Sequence, residues 1–235
     1  MQRSAHEIVS RLLSDNWTRY ALVSPKFGVQ RPPSSLPVEE RGYISQGHLW
    51  EQIELPLIVR SMAKYAVLYS PMTSGPLAVS RQVMTLHDLF PIEHPEWFSR
   101  AFSSWYRWLL ARLLKSVAYI LANSRYTRER ILERYKIAED KVVLCHFAQN
   151  ERFTPVSPER LARFRAEKGL PERYLLNIGL LARRKNLATL IAAWKRTIAR
   201  SQGIKLVLAG SVAQKRCLVR QVSVSKPWMT LRSGC

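Results

Sequence analysis

Apolar positions along the chain change repeatedly between a period near two and a period near 3.6, which predicts strands alternating with helices. Ala5, Ile8, Val9, Leu12 and Leu13 recur at helical spacing, so an amphipathic helix is expected almost from Met1, with no strand ahead of it. Short apolar runs at 20–24, 65–70, 82–86, 117–122 and 141–146 read as strands. Between them, turn formers crowd residues 25–37, a helix is expected over 50–62 despite Pro56, and another over 97–116. The third strand delivers His87 and Asp88 at its carboxyl end, followed by a loop held by Pro91, His94 and Pro95. Ser124 suits the amino cap of a helix over 125–135. Largely apolar strands in this alternation call for an α/β fold with a parallel sheet covered on both faces.

Phe153, Thr154 and Pro155 punctuate the chain, and a second α/β unit is expected to start there. A charged helix over 158–168 and the turn at Gly169 precede a strand over 174–178 that stops at Gly179. Arg184 and Lys185 then open an apolar helix over about 187–199, and a further strand over 205–209 stops at Gly210. This order aims positive charge and free backbone N–H groups at the carboxyl edge of a buried strand, where α/β proteins bind phosphorylated ligands. A solvated helix start is the bland reading, but cations there oppose the helix dipole unless an anion is bound. No usable periodicity follows Ser211. Two strands alone would be a marginal remnant with an uncovered edge and apolar face. The expected organisation is a Rossmann-like unit over 1–152, a partial second unit over 153–213 and an irregular tail over 214–235.

Composition narrows the picture. At 235 residues with 47% hydrophobic content the chain can bury a sizeable core, and no apolar run approaches the ~18 residues that span a bilayer. A cytoplasmic placement is therefore expected. The formal charge of +20 raises a nucleic-acid reading, yet thirteen cations and no acid fall between Arg173 and Cys235, leaving 24 of the 37 cations against all 17 acids elsewhere. No helix-turn-helix or RNA-binding strand signature accompanies that charge, and no nucleic-acid partner is expected. Cys145, Cys217 and Cys235 lie far apart without a C-x-x-C pair, and His6, His48, His94 and His146 have no converging spacing, so neither a disulfide framework nor a metal site is expected. The helix over 97–116 mixes Phe102, Trp105, Trp108 and leucines with Arg100, Arg107, Arg112 and Lys115. It reads either as a core helix with snorkelling cations or as an interfacial helix on anionic lipid.

Several pieces in this order resemble a GT-B glycosyltransferase of family 4, of the bacterial mannosyltransferase or polysaccharide-assembly kind. They are Thr85-Leu86-His87-Asp88-Leu89 with Pro91 and Pro95, Ala122-Asn123-Ser124-Arg125, Phe153-Thr154-Pro155, the strand ending at Gly179, Arg184-Lys185-Asn186-Leu187, and Leu206 to Gly210. The resemblance implies two Rossmann-like domains facing across a cleft, the first taking the acceptor and the second a nucleotide-sugar donor. It implies that Lys185, helped by Arg184 beside Gly179, contacts the donor diphosphate, and that His87 hydrogen-bonds a hydroxyl of the donor sugar. Asp88 would orient its loop, with Ser124 in support. Transfer of a hexose such as mannose with retained configuration, to a saccharide or lipid-linked acceptor, follows from the same likeness. No cofactor or metal is implied, and peripheral contact with the inner face of the plasma membrane would suit a lipid-linked acceptor.

Members of that family begin with a strand and a glycine-rich loop, and carry two glutamates eight apart well after the strand that here ends at Gly210; no glutamate follows Glu172 in this chain. The expectation is of a domain lacking its first strand, a second domain lacking part of its donor site, and weak or absent turnover by this polypeptide alone.

Overall fold

A computed structural model of the chain describes residues 2–16, 20–27, 38–44, 47–62, 64–149, 153–197, 202–210 and 228–231. The chain divides into two compact units, Met1–Gln149 and Asn150–Cys235.

In the first unit the helix α1 (Gln2–Asn16) leads to β1 (Leu22–Ser24) and β2 (Val38–Glu40), which pair in parallel with Leu22 opposite Val38. The remaining strands, β3 (Leu68–Ser70), β4 (Gln82–Leu86), β5 (Tyr119–Ala122) and β6 (Val142–Leu144), form a separate all-parallel sheet in the order β3-β4-β5-β6. The α/β class with parallel sheets is as expected, but two sheets stand where the alternation predicted one. β2 escaped the pattern altogether, because Val38-Glu39-Glu40 has no apolar alternation and becomes a strand only through its distant partner.

Central placement explains the composition of β4: Gln82, Met84, Thr85 and Leu86 are buried between β3 and β5. Against the sheet lies α4 (Arg100–Ser116), capped by Ser99, whose Leu109, Leu110, Leu113 and Leu114 are wholly buried with Met84, Ile120 and Ile131. Four fully covered leucines make α4 a core helix, and its cations lie on the opposite, exposed face.

Pro91 and Pro95 do not hold an irregular loop. Phe90–Glu93 is a short helix, α3, and Pro95–Trp97 a 3₁₀ turn, because a proline in the first turn supplies a preset φ and lacks an N–H that would go unpaired there anyway. The helix expected over 50–62 starts as a π turn, Trp50–Glu54, in which the Leu55 N–H reaches back to the Trp50 carbonyl, and continues as α2 (Leu55–Arg60).

The second unit contains α6 (Pro158–Lys168), β7 (Tyr174–Ile178), α7 (Leu187–Arg196), β8 (Lys205–Ala209) and β9 (Trp228–Leu231); α5 (Arg125–Tyr135) completes the first. Between β7 and β8 the pairing is parallel, and between β8 and β9 antiparallel, so among the described residues the sheet has three strands, not two. β9 lies in the stretch read as irregular, where four residues carry too little pattern to announce a strand. Leu206 and Leu208 of β8 pack with Leu181, Leu187 and Trp194, and the Trp194 indole N–H donates to the Ile204 carbonyl at 3.0 Å. β7 was expected to be buried and is not: Leu175 and Leu176, which alternate between the two faces of the strand, and Ile178 are all exposed, and among the described residues β7 pairs only with β8 at the sheet edge.

Candidate functional site

Two groups of candidate residues form, one in each unit. In the first unit the group gathers at the carboxyl ends of β4 and β5, where parallel strands release their chains toward ligands. His87 follows Leu86 directly and is buried. Its Nε2 lies 2.9 Å from the Pro71 carbonyl oxygen. A carbonyl only accepts, so this nitrogen carries the proton, and Nδ1 is the nitrogen left for a ligand. The imidazole is further fixed by the Phe147 ring, 5.5 Å away between centroids.

Asp88 accepts the Phe90 N–H at 3.1 Å, closing a turn that aims α3 away from the strand. Ser124 caps α5 by accepting the Thr127 N–H at 3.1 Å. Buried Thr127 in turn reaches back to the His87 carbonyl at 3.3 Å, tying the amino end of α5 to the carboxyl end of β4. Arg130, one turn further along α5, spans Glu93 and Glu133 at 2.5 Å each. These two carboxylates raise the guanidinium pKa above its ordinary value, the Glu93 hydrogen bond most of all.

Together these side chains surround a cavity of about 270 Å³, lined by His87, Asp88, Phe90, Asn123, Tyr126 and Arg130 among others. Its walls offer hydroxyl, amide, carboxylate and guanidinium groups beside the Phe90 and Tyr126 rings. His87, Asp88 and Ser124 were legible in the sequence. Arg130 and Glu93 were not, since their pairing joins positions 37 apart and leaves no local trace.

In the second unit β7 ends at Gly179, whose φ is +151°, and β8 at Gly210, whose φ is +155°. The Gly179 N–H donates to the Ala209 carbonyl at 2.9 Å, which brings the two strand ends into backbone contact. Lys185 folds over this point: a Cβ on Gly179 would meet its Cε at 3.9 Å. Arg184 and Lys185 do not open the helix, as the sequence suggested. They lie in a 3₁₀ turn, Arg183–Lys185, and Asn186 at φ +50° interrupts the backbone before α7 begins at Leu187. The cations thus precede the dipole instead of opposing it from within the first turn.

Asn186 gives α7 no side-chain cap, because its carboxamide oxygen accepts from Thr189 Oγ1 at 2.8 Å. Arg184 and Lys185 are exposed, and neither has an ion-pair partner among the described residues. Residues 179–187 thus combine a glycine junction, two exposed cations and a helix start without a side-chain cap. Among the described residues no three His, Cys, Asp or Glu side chains gather as metal ligands, and no helix is long and apolar enough to cross a membrane.

Residues 13–147 match the sequence pattern of Glycosyltransferase Family 4, which is more than half of the chain. The chain belongs to glycosyltransferase family 4. Two Escherichia coli proteins, each named serotype-specific mannosyltransferase WbdA, are 29% identical to it over 118 residues, covering 48% of this chain and 14% of theirs. The chain therefore spans a small part of the length of these relatives. In this family member the matched region contains the whole His87 cavity, whereas the Gly179 and Lys185 junction lies outside it.

Proposed function

We propose that this family 4 member takes part in retaining hexosyl transfer from a nucleoside diphosphate sugar, with mannose as the sugar the WbdA relatives suggest, to a saccharide or lipid-linked acceptor. The observation that carries the reading is the placement of Lys185 over Gly179, where the ends of β7 and β8 meet, beside an exposed Arg184 that has no ion-pair partner among the described residues.

In this reaction the bond from the anomeric carbon to the β-phosphate oxygen breaks, and the acceptor oxygen bonds the same carbon on the same face. The acceptor proton passes to the departing phosphate oxygen, so no separate protein base is required. Negative charge grows on the diphosphate as the bond opens. Preplaced cations and backbone N–H groups stabilise that charge without reorganising, which is where such sites gain most of their rate. Lys185 and Arg184 take this part here, with no metal assigned. His87 takes the second part: its Nδ1 accepts from a sugar hydroxyl while Nε2–H stays anchored on Pro71.

Calorimetric titration of the 235-residue chain with a nucleoside diphosphate hexose tests the assignment. Lys185→Ala should weaken binding about 10-fold or more, because a charge-assisted phosphate contact is lost, and His87→Ala should leave nucleoside diphosphate binding within about 2-fold. Equal affinity of the wild type and the Lys185→Ala, Arg184→Ala double variant would remove the diphosphate from this junction.

A further inference from the structure

The helical segment 48–60 presents a row of large aliphatic side chains to solvent. Leu49, Ile53 and Leu57, spaced four apart, are 65%, 53% and 59% exposed, and Arg60 continues the same row one turn later. Three successive aliphatics on one exposed stripe are not the scattered surface leucine that needs no account.

The acids of this segment are absent from the stripe. Glu54 spends both oxygens on the N–H groups of Tyr43 and Ile44, at 2.7 and 3.0 Å, and Glu51 is held by His48 and by the Ser74 hydroxyl at 3.0 and 2.7 Å. Two exposed tyrosines near the segment carry cations over their rings. Tyr43, 83% exposed and tied to the middle of the segment through Glu54, carries the Lys26 ammonium over its ring at 4.7 Å. Tyr65, 75% exposed just past the other end, has Lys64 and Arg81 over its ring at 5.8 and 5.7 Å.

We propose that this face is a docking surface for an anionic lipid bilayer, with segment 48–60 lying in the interface plane. Leu49, Ile53 and Leu57 enter the acyl boundary, Tyr43 and Tyr65 sit at headgroup level, and Arg60, Lys64 and Lys26 meet the lipid phosphates. Charge decides for lipid over a second copy of the chain: a copy would bring the same cations against themselves, and three aliphatic side chains fall far short of the ~800 Å² per partner that a specific interface needs. Of the two readings open for the tryptophan-rich α4 the core one holds, its leucines being consumed in the core, and the lipid-facing role falls instead to segment 48–60. This inference stands independently of the sugar-transfer reading.

Co-sedimentation of the full chain with vesicles tests it. Wild type should partition onto phosphatidylglycerol and phosphatidylcholine mixtures and only weakly onto pure phosphatidylcholine. The triple variant Leu49→Ser, Ile53→Ser, Leu57→Ser, which keeps the charge, should lose about 10-fold or more in partitioning, with its circular dichroism melt checked against wild type. Arg60→Gln should weaken binding to the anionic mixture alone, and single Ile53→Ser should give an intermediate loss even where the triple variant folds poorly. Unchanged partitioning of a folded Ile53→Ser and triple variant overturns the proposal, as does failure of folded wild type to bind anionic vesicles. A wild-type dimer on size exclusion that the triple variant returns to monomer would assign the stripe to self-association instead.

Discussion

A Cβ placed on Gly210 would stand 1.8 Å from the carbonyl oxygen of Gly179. The obstacle is backbone on both sides, so no side-chain rotation relieves it, and φ at Gly210 lies in the region that L residues avoid. Gly210→Ala should therefore push the ends of β7 and β8 apart and destabilise the second unit by about 2 kcal/mol or more. Gly179→Ala meets only the flexible end of Lys185 at 3.9 Å, an ordinary contact, and should cost about 1 kcal/mol from backbone conformation alone. Amide hydrogen exchange across 174–178 and 205–209 reads both. Faster exchange in Gly179→Ala than in Gly210→Ala would contradict the close approach of the two strand ends.

Thr127 joins the cap of α5 to the strand that carries His87, and one hydroxyl proton must serve two acceptors. Ser124 Oγ accepts the Thr127 N–H and can donate its own proton to Thr127 Oγ1 at 2.9 Å, which leaves the Thr127 proton for the His87 carbonyl or the Asn123 carboxamide. Thr127→Val keeps the shape and removes this relay, stranding the His87 carbonyl in a buried place. The expected cost is about 1 to 3 kcal/mol in chemical denaturation. Thr127→Ser, which keeps the hydroxyl and loses only the methyl, should cost less than half as much; a Thr127→Val variant as stable as wild type would show that the relay contributes nothing.

Local signals account for what the sequence revealed. Ser124 announces helix α5 to the residue because capping is decided within four positions, and the apolar run 82–86 marks β4 because a central strand is buried on both faces. Features that depend on distant partners stayed hidden. β2 exists through its register with β1, β9 through an antiparallel partner some twenty residues earlier, and one wall of the His87 cavity through Arg130 reaching Glu93. Asn186 was hidden for another reason: its left-handed backbone separates Arg184 and Lys185 from α7, and the run Arg184-Lys185-Asn186-Leu187 reads as one continuous helix start until that single φ is known.

Helix α6 buries none of its residues, so its formation rests on its ends. At the amino end Ser157 accepts the Arg160 N–H at 3.3 Å, while the Glu159 carboxylate accepts from its own backbone N–H and from the Ser157 hydroxyl, which hold its pKa below the ordinary glutamate value. A lowered folded pKa fixes the sign of the linkage: the stabilisation is complete above the unfolded value and is lost as pH falls through the folded one. Acidification should consequently fray α6 from its first turn, read as faster amide exchange over 160–163 after correction for intrinsic rates. Glu159→Gln should remove that pH dependence, and Ser157→Ala should weaken the helix by about 1 kcal/mol at neutral pH. A carbon-detected titration of Glu159 with its midpoint at or above the ordinary glutamate range would show that the carboxylate does not take part in the cap.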